Sequence, residues 1–177
     1  MKLNYPLYDY DFLNYQLYVA SKSDRINKNL KKNWLILTVG FFLAALYFYS
    51  ENHIPMVLYF GFISILFGAF YPYYFRWKHK RHYKKHISEN YKNRFGHNQL
   101  IDVGTDEIFC KDFSSEGKIN ISAIVGVDET TEYFFLNLTT GMSLIIPKDR
   151  LNNTDDLRNE LIKRGLSVFN YSVGKWK

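Results

Sequence analysis

Two long stretches of this chain carry no Asp, Glu, Lys or Arg at all: residues 33–50 and residues 52–75. At 1.5 Å per helical residue they reach about 27 Å and about 36 Å, against a bilayer hydrocarbon core of about 30 Å. A pair of core helices in a soluble bundle needs polar faces to meet water, and neither stretch has one. The sequence therefore predicts transmembrane helices over 34–50 and 54–75. Glu51 is the one formal charge between them, so the helices return antiparallel through an external turn at 51–53. Pro55 suits the first turn of the second helix, where a missing N–H costs nothing, and Pro72 is expected to loosen or kink its last turn. The mean hydropathy of −0.27 conceals all of this by averaging. A cleaved leader is not expected, because the first apolar run follows a long charged segment and no small-residue cleavage pattern comes after it.

Charge is distributed as unevenly as hydropathy. Residues 1–95 hold 14 Lys/Arg against 5 Asp/Glu, a net of +9, while residues 96–177 hold 9 against 12, a net of −3. Lys22, Arg25, Lys28, Lys31 and Lys32 precede the first span; Arg76, Lys78, Lys80, Arg81, Lys84 and Lys85 follow the second; the turn between has none. The positive-inside rule then predicts both termini on the cytoplasmic side. Trp34, Tyr71, Tyr73, Tyr74 and Trp77 form an aromatic belt there, with Tyr47 and Tyr49 at the opposite side. Surface contact with anionic headgroups is expected from Lys28, Lys31, Lys32, Trp34, Arg76, Trp77, Lys78, Lys80, Arg81, Lys84 and Lys85, each cation near the surface adding about 1 kcal/mol. Small residues at Gly40/Ala44 and at Ser64/Gly68 are expected to pack the hairpin on itself. The spans hold none of the ionisable groups that mark ion or proton paths, which disfavours a transporter or pump.

Residues 1–33 read as a cytoplasmic amphipathic segment. Phe12, Tyr15, Val19 and Ile26 recur at near-helical spacing over 9–32, with Asp9 or Asp11 as cap. Residues 76–96 read as a basic juxtamembrane helix. Its interleaved aromatics suit nucleic acid on composition, but its place directly after a span favours lipid headgroups, so no nucleic-acid partner is expected. His79, His82 and His86 share one helical face, the spacing of a metal site. Six surrounding cations oppose a metal dication, and no metal is expected.

Past Gly96 the hydrophobic period changes to two. Residues 99–103, 107–112, 118–121, 125–130, 133–138 and 142–147 read as strands, separated by turn signals at 104–106, 114–117 and 139–141. A helix follows over 154–164, with Thr154 as N-cap, Asp155 and Asp156 in its first turn and Gly165 past its end. The tail 166–173 adds a further strand. Strands first, then one closing helix, predict that residues 97–177 form a small β-roll plugged by that helix. The fold class is an α+β membrane protein.

Certain residues here resemble a known family. Ile121, Ile124, Val127 and Glu129-Thr130, then the strand 134–138, then Ile145-Ile-Pro-Lys148 and a closing helix, are similar to the YcxB-like bacterial membrane proteins. Tyr8-Asp-Tyr-Asp-Phe-Leu13 resembles their N-terminal stretch. The resemblance implies a cytoplasmic domain similar to a pleckstrin-homology fold on a two-span anchor in a bacterial inner membrane. It implies no catalytic residues.

Little chemistry is written in the remaining residues. Phosphate-binding glycine loops, nucleophile elbows and His-Glu-x-x-His are missing from the sequence. One cysteine, Cys110, excludes an intrachain disulfide and reads as an idle mid-strand thiol. Asp128, Glu129 and Glu132 read as solvated turn charges. The expectation is a non-enzymatic membrane-anchored interaction module, without cofactor, that meets anionic lipid and a protein partner or another copy of itself. The strand over 142–146 is the expected acceptor edge. The competing class, motivated by size and topology, is an immunity protein against a membrane-targeting toxin. A self-assembling channel is disfavoured by the apolar spans.

Overall fold

The first seven residues already alternate: Leu3, Tyr5 and Leu7 are buried, while Lys2 and Asn4 are exposed. That period of two makes β1 (Lys2–Pro6) a strand. The computed structural model describes residues 1–171. After β1 come α1 (Asp9–Lys22), α2 (Asp24–Ser50) and α3 (Ile54–Asn90), then β2 (Asn98–Val103), β3 (Glu107–Lys111) and β4 (Glu116–Asn120). β5 (Ile124–Glu129), β6 (Tyr133–Leu138), β7 (Ser143–Pro147), α4 (Thr154–Lys163) and β8 (Val168–Asn170) complete the order. Among the described residues the protein is thus α+β, with two four-stranded sheets and two helices long and apolar enough to cross a membrane.

The chain forms two compact units. Of the described residues, one takes in Met1–Tyr18 and 84–171; the other is Val19–Tyr83. In the first unit β1-β2-β3-β4 is an antiparallel meander, and β7-β6-β5-β8 is the second sheet, with β8 parallel to β5. β1 pairs with β2 from Lys2↔Asp102 to Pro6↔Asn98, and the Gly96 N–H donates to the Leu7 carbonyl at 2.8 Å. Everything between Leu7 and Gly96 is therefore an insertion between two adjacent strands of one sheet. Leu3, Tyr5, Ile101, Val103, Ile108, Val127, Phe134, Leu136, Ile146, Leu157 and Leu161 form its core.

The run Tyr133-Phe-Phe-Leu136 is buried on both faces of β6. Phe134 and Leu136 face one way; Tyr133 and Phe135 face the other, where α1 covers them. The rings of Tyr15 and Tyr18 pack on Phe135 at 5.4 and 4.7 Å, and Asn14 donates to the Tyr133 hydroxyl at 2.9 Å. A continuous apolar strand demands cover on both sides, and α1 supplies the second. Residues 1–33, read as one amphipathic segment, therefore divide. β1 and most of α1 build the β-rich unit, and the helix is broken at Ser23, whose hydroxyl caps α2 at the Ile26 N–H.

Most of the expected strands appear within two residues of their predicted ends, and β6 matches at both. Asn153, not Thr154, caps α4: its side-chain oxygen accepts the Asp155 N–H at 3.0 Å. Gly165 follows with φ +81°, the left-handed conformation that ends a helix cheaply only at glycine. The tail strand is realised as β8; positions 172 and 173 of that expectation lie outside the described residues.

In the second unit α2 and α3 run back through Glu51–His53, with Asn52 in the left-handed region at φ 59°. The span expected over 54–75 and the basic helix expected over 76–96 are one helix, which runs 18 residues past Pro72 to Asn90. A proline removes the hydrogen bond to the carbonyl four residues earlier, here Gly68. The indole N–H of Trp34 donates to that same carbonyl at 3.0 Å. Trp34 is thus half-buried against α3, and it satisfies the acceptor that Pro72 leaves behind. One turn along, the Ser64 hydroxyl donates to the Thr38 carbonyl at 2.9 Å, and a Cβ placed on Gly68 would meet Thr38 at 3.5 Å. The Ser64/Gly68 face packs the hairpin as expected. Gly40 does not: it is exposed, with open space around it.

Candidate functional site

The polar side chains inside the β-rich unit come from segments far apart in sequence. Glu129 is buried at the end of β5 and accepts from Lys148 at 2.6 Å and from Arg158 Nε at 2.8 Å, with a further contact to Arg158 Nη2. Hydrogen bonding from Arg158, joined by Lys148, holds its carboxyl below the usual carboxylate range despite burial. The Lys148 ammonium also sits over the Phe134 ring, 4.7 Å from its centre. Asp11 is fully buried: it accepts from Arg150 Nη1 at 2.7 Å, from the Tyr133 hydroxyl at 3.0 Å and from the Tyr8 N–H at 2.7 Å. That last bond is the reciprocal half of a capping box at the start of α1. Asp128, buried beside Glu129, accepts from the Tyr18 hydroxyl at 2.5 Å and from Asn137 at 2.6 Å. Burial, with that carboxylate, raises the Tyr18 hydroxyl far above its ordinary value.

Asp128 and Glu129 are therefore not the solvated turn charges their position suggested. A carboxylate held between Lys148 and Arg158, or against Tyr18 and Asn137, has its lone pairs committed to structure. Cys110 is half-buried in β3, and burial pushes its thiol up to about 11, away from the range in which a thiolate forms at neutral pH. An open groove of about 620 Å³ lies beside Thr105, Asp106, Asn120, Ser122 and Arg164. The Arg164 guanidinium there is engaged with the carbonyls of Gly104, Val103 and Glu160 and the carboxylate of Glu160. The expected acceptor edge is also restricted. The Ile145 carbonyl of β7 already takes the Tyr5 hydroxyl at 2.9 Å, and Pro147 has no N–H to offer.

The basic residues occupy the helices. Lys28, Lys31 and Lys32 are exposed on α2; Trp77, Lys78, Lys80, Arg81, Lys84 and Lys85 are exposed on α3. Arg76 is half-buried, and its Nε has no hydrogen-bond partner. At about 100° per residue, Lys80, Lys84, Trp77, Arg81, Lys85 and Lys78 fill an arc of about 160°, while Phe75, His79, Tyr83 and Ile87 lie on the inner face. The Arg81 guanidinium stands 5.5 Å from the centre of the Trp77 ring. Lys85 pairs with Glu89 at 3.8 Å; among the described residues Lys78, Lys80, Arg81 and Lys84 have no ion pair. His79 Nδ1 lies 2.9 Å from the Phe75 carbonyl oxygen, and no group of three metal-ligating side chains gathers among the described residues.

The structure does not put these cations at one level. Thr38 of α2 touches both Ser64 and Gly68 of α3, and Phe41 stacks on Phe67 at 5.3 Å. Counting back along both antiparallel helices brings Lys32 level with Pro72 and Lys28 level with Arg76. Lys80 and Arg81 then stand about one turn beyond Lys28 and near the level of Arg25, at the start of α2. Spacing in the sequence could have suggested this only if the span over 54–75 and the helix over 76–96 had been read as one.

The architecture is that of a small two-sheet domain with a closing helix, interrupted by a helical hairpin. Residues 103–163, from the end of β2 to the end of α4, match the family model of YcxB-like proteins. That stretch contains Glu129, Lys148 and Arg158, so the buried ion cluster joins the very segments that carry the resemblance. No curated protein and no solved structure matches the chain.

Proposed function

We propose that this protein is a non-enzymatic, membrane-anchored interaction module of a bacterial inner membrane, with a pleckstrin-homology-like domain on the cytoplasmic side. The observation that carries the reading is the insertion of an apolar helical hairpin between paired strands β1 and β2. A domain tied at both ends of its anchor is held at the membrane by two helical connections rather than by one linker. Support for the fold likeness comes from the strand order, a four-stranded meander followed by β5-β6-β7 and closing helix α4. The Lys/Arg excess on the flanks of both helices, against none in Glu51–His53, supports cytoplasmic termini. The committed carboxylates and the high thiol value of Cys110 favour binding over catalysis.

Reporter fusions test it. A reporter after Lys2 and one after Lys177 are expected to be cytoplasmic, and one within Glu51–His53 external. An external C-terminal reporter overturns both the topology and the module.

A further inference from the structure

Four strands sit at the sheet edges: β1 and β4 in one sheet, β7 and β8 in the other. Three of them offer little to a partner strand. β1 ends on Pro6, which has no N–H and whose carbonyl accepts from the Arg150 guanidinium. β7 is restricted at Ile145 and Pro147, and β8 is three residues long. β4 carries no such block. The Asp112 N–H donates to the Ser115 carbonyl at 2.8 Å, and the Ile121 N–H to the Asp106 carbonyl at 2.9 Å. Antiparallel pairing alternates from those bonds, so residues 115, 117, 119 and 121 turn their backbone groups toward β3. Glu116, Lys118 and Asn120 turn theirs outward, and no backbone group takes them among the described residues. Their side chains lie on the exposed face, opposite the partly buried Ile119.

We propose that β4 pairs antiparallel with β4 of a second copy of this chain, about a two-fold axis through Gly117. This inference deepens the interaction-module reading by naming the partner, and it rests on that reading. An edge-to-edge ladder sets outward residues opposite outward residues, which admits only registers centred on a residue of the strand. Centred on Glu116 or on Lys118, the ladder puts like charges face to face, which is destabilising. Centred on Ile119, it puts Lys118 opposite Asn120 and pairs no charge. Centred on Gly117, it puts Glu116 of each copy opposite Lys118 of the other, and each such pair exchanges both its N–H···O bonds. Within one copy Glu116 already pairs with Lys111 at 3.0 Å, and Lys118 with Glu107. The two-fold axis thus continues a row of alternating sign across the seam: Lys111 and Glu116 of one copy, then Lys118 and Glu107 of the other. Gly117 meets itself on the axis with no side chain between, and a Cβ there meets nothing within 4 Å in its own chain. A lysine on an edge strand ordinarily deters pairing, but here Glu116 of the second copy answers it. A strand of five residues is a small contact, and two chains tethered in one membrane meet at a raised effective concentration.

The test uses the full chain in lipid vesicles, with Cys110→Ser as background and Gly117→Cys as reporter. Facing residues of a non-hydrogen-bonded pair stand about 4.5 Å apart at Cα, within disulfide reach. A mild oxidant is expected to cross-link two copies through that thiol. Adding Glu116→Lys or Lys118→Glu opposes like charges across the axis and is expected to slow cross-linking at least ~10-fold. The two reversals, carried on differently tagged chains and mixed in equal amounts, are expected to cross-link to each other at about the original rate. Both reversals in one chain are expected to do the same. Each variant should keep the wild-type melt, because the exposed pairs it breaks contribute little. A peptide of residues 114–120 is expected to compete, and its scrambled isomer is not. Absent cross-linking, equal rates in every charge variant, or a mixture that fails to recover overturns the pairing while leaving the reporter topology and the module standing. Should a single reversal lose its melt, the one-chain swap decides: cross-linking kept supports the register, and cross-linking lost overturns it. Equal competition by the scrambled peptide opens the edge to any strand and overturns the second copy as its partner. An external C-terminal reporter overturns the module itself.

Discussion

The two units solve opposite problems with the same amino acids. In the hairpin only 6% of each apolar window is buried, so Leu58, Phe62, Ile65 and Phe70 all face outward. In the β-rich unit the large apolar side chains are inside, and Asp11, Asp128 and Glu129 are inside with them. The hairpin exposes what water rejects and keeps its few polar contacts between its helices: Trp34 to Gly68 and Ser64 to Thr38. The β-rich unit excludes water and must pair every charge it takes in, since an uncompensated buried charge is costly. The contrast teaches that burial, not composition, distinguishes the two: 19% of the residues are aromatic, and aromatics line both the outward face of one unit and the core of the other.

The strongest test of this contrast is to cut the β-rich unit where the sequence alone would. Residues 97–177 expressed by themselves lack Leu3, Tyr5, Leu7 and Tyr18 of the core and leave Tyr133 and Phe135 uncovered. That fragment is expected to aggregate or to show no cooperative unfolding, and residues 1–22 joined to it by a flexible linker are expected to restore a sigmoidal melt. Cooperative unfolding of 97–177 alone would mean that β1 and α1 are accessories.

Next in size are the buried ions. Asp11→Asn removes the charge against which Arg150 is buried and is expected to cost about 3–5 kcal/mol in chemical denaturation. Glu129→Gln acts similarly on Lys148 and Arg158 and adds a pH signature. Because the folded Glu129 carboxyl titrates below its ordinary value of 4.5, its contribution is present above that pH and is lost as pH falls through the folded value. The wild-type melting temperature should therefore drop in acid, and Glu129→Gln should flatten that drop. An unchanged acid limb would show that other carboxylates control it.

The hairpin should respond more mildly. Trp34→Phe strands the Gly68 carbonyl and is expected to weaken helix–helix association in bicelles by about 1 kcal/mol. In a Pro72→Ala background, where the backbone N–H is restored, the same change should cost little. Equal costs in both backgrounds would separate Trp34 from the proline. Smallest is Cys110: its maleimide reaction should be slow at pH 7 and accelerate as pH climbs toward about 11, in contrast to an exposed thiol.

The sequence alone determined the features that follow from local pattern. Long charge-free runs, period-two alternation and turn residues are one-dimensional signals, so the hairpin, the strands from β2 to β7 and α4 were legible, as was the resemblance carried by Glu129-Thr130 and Ile145-Ile-Pro-Lys148. β1 was missed inside the amphipathic reading of 1–33 although Leu3, Tyr5 and Leu7 alternate: its partner lies more than ninety residues away, and no local pattern names a distant strand. Tertiary structure decided which polar residues went inside. Asp128 and Glu129 read like surface charges until α1, Lys148 and Arg158 arrive around them. It also decided that Trp34 faces Gly68 and that α3 is one helix from Ile54 to Asn90, because the carbonyl that Pro72 leaves without an N–H finds its donor here on the other helix. Burial and hydrogen-bond satisfaction are properties of neighbours in space, and the sequence orders neighbours only along the chain.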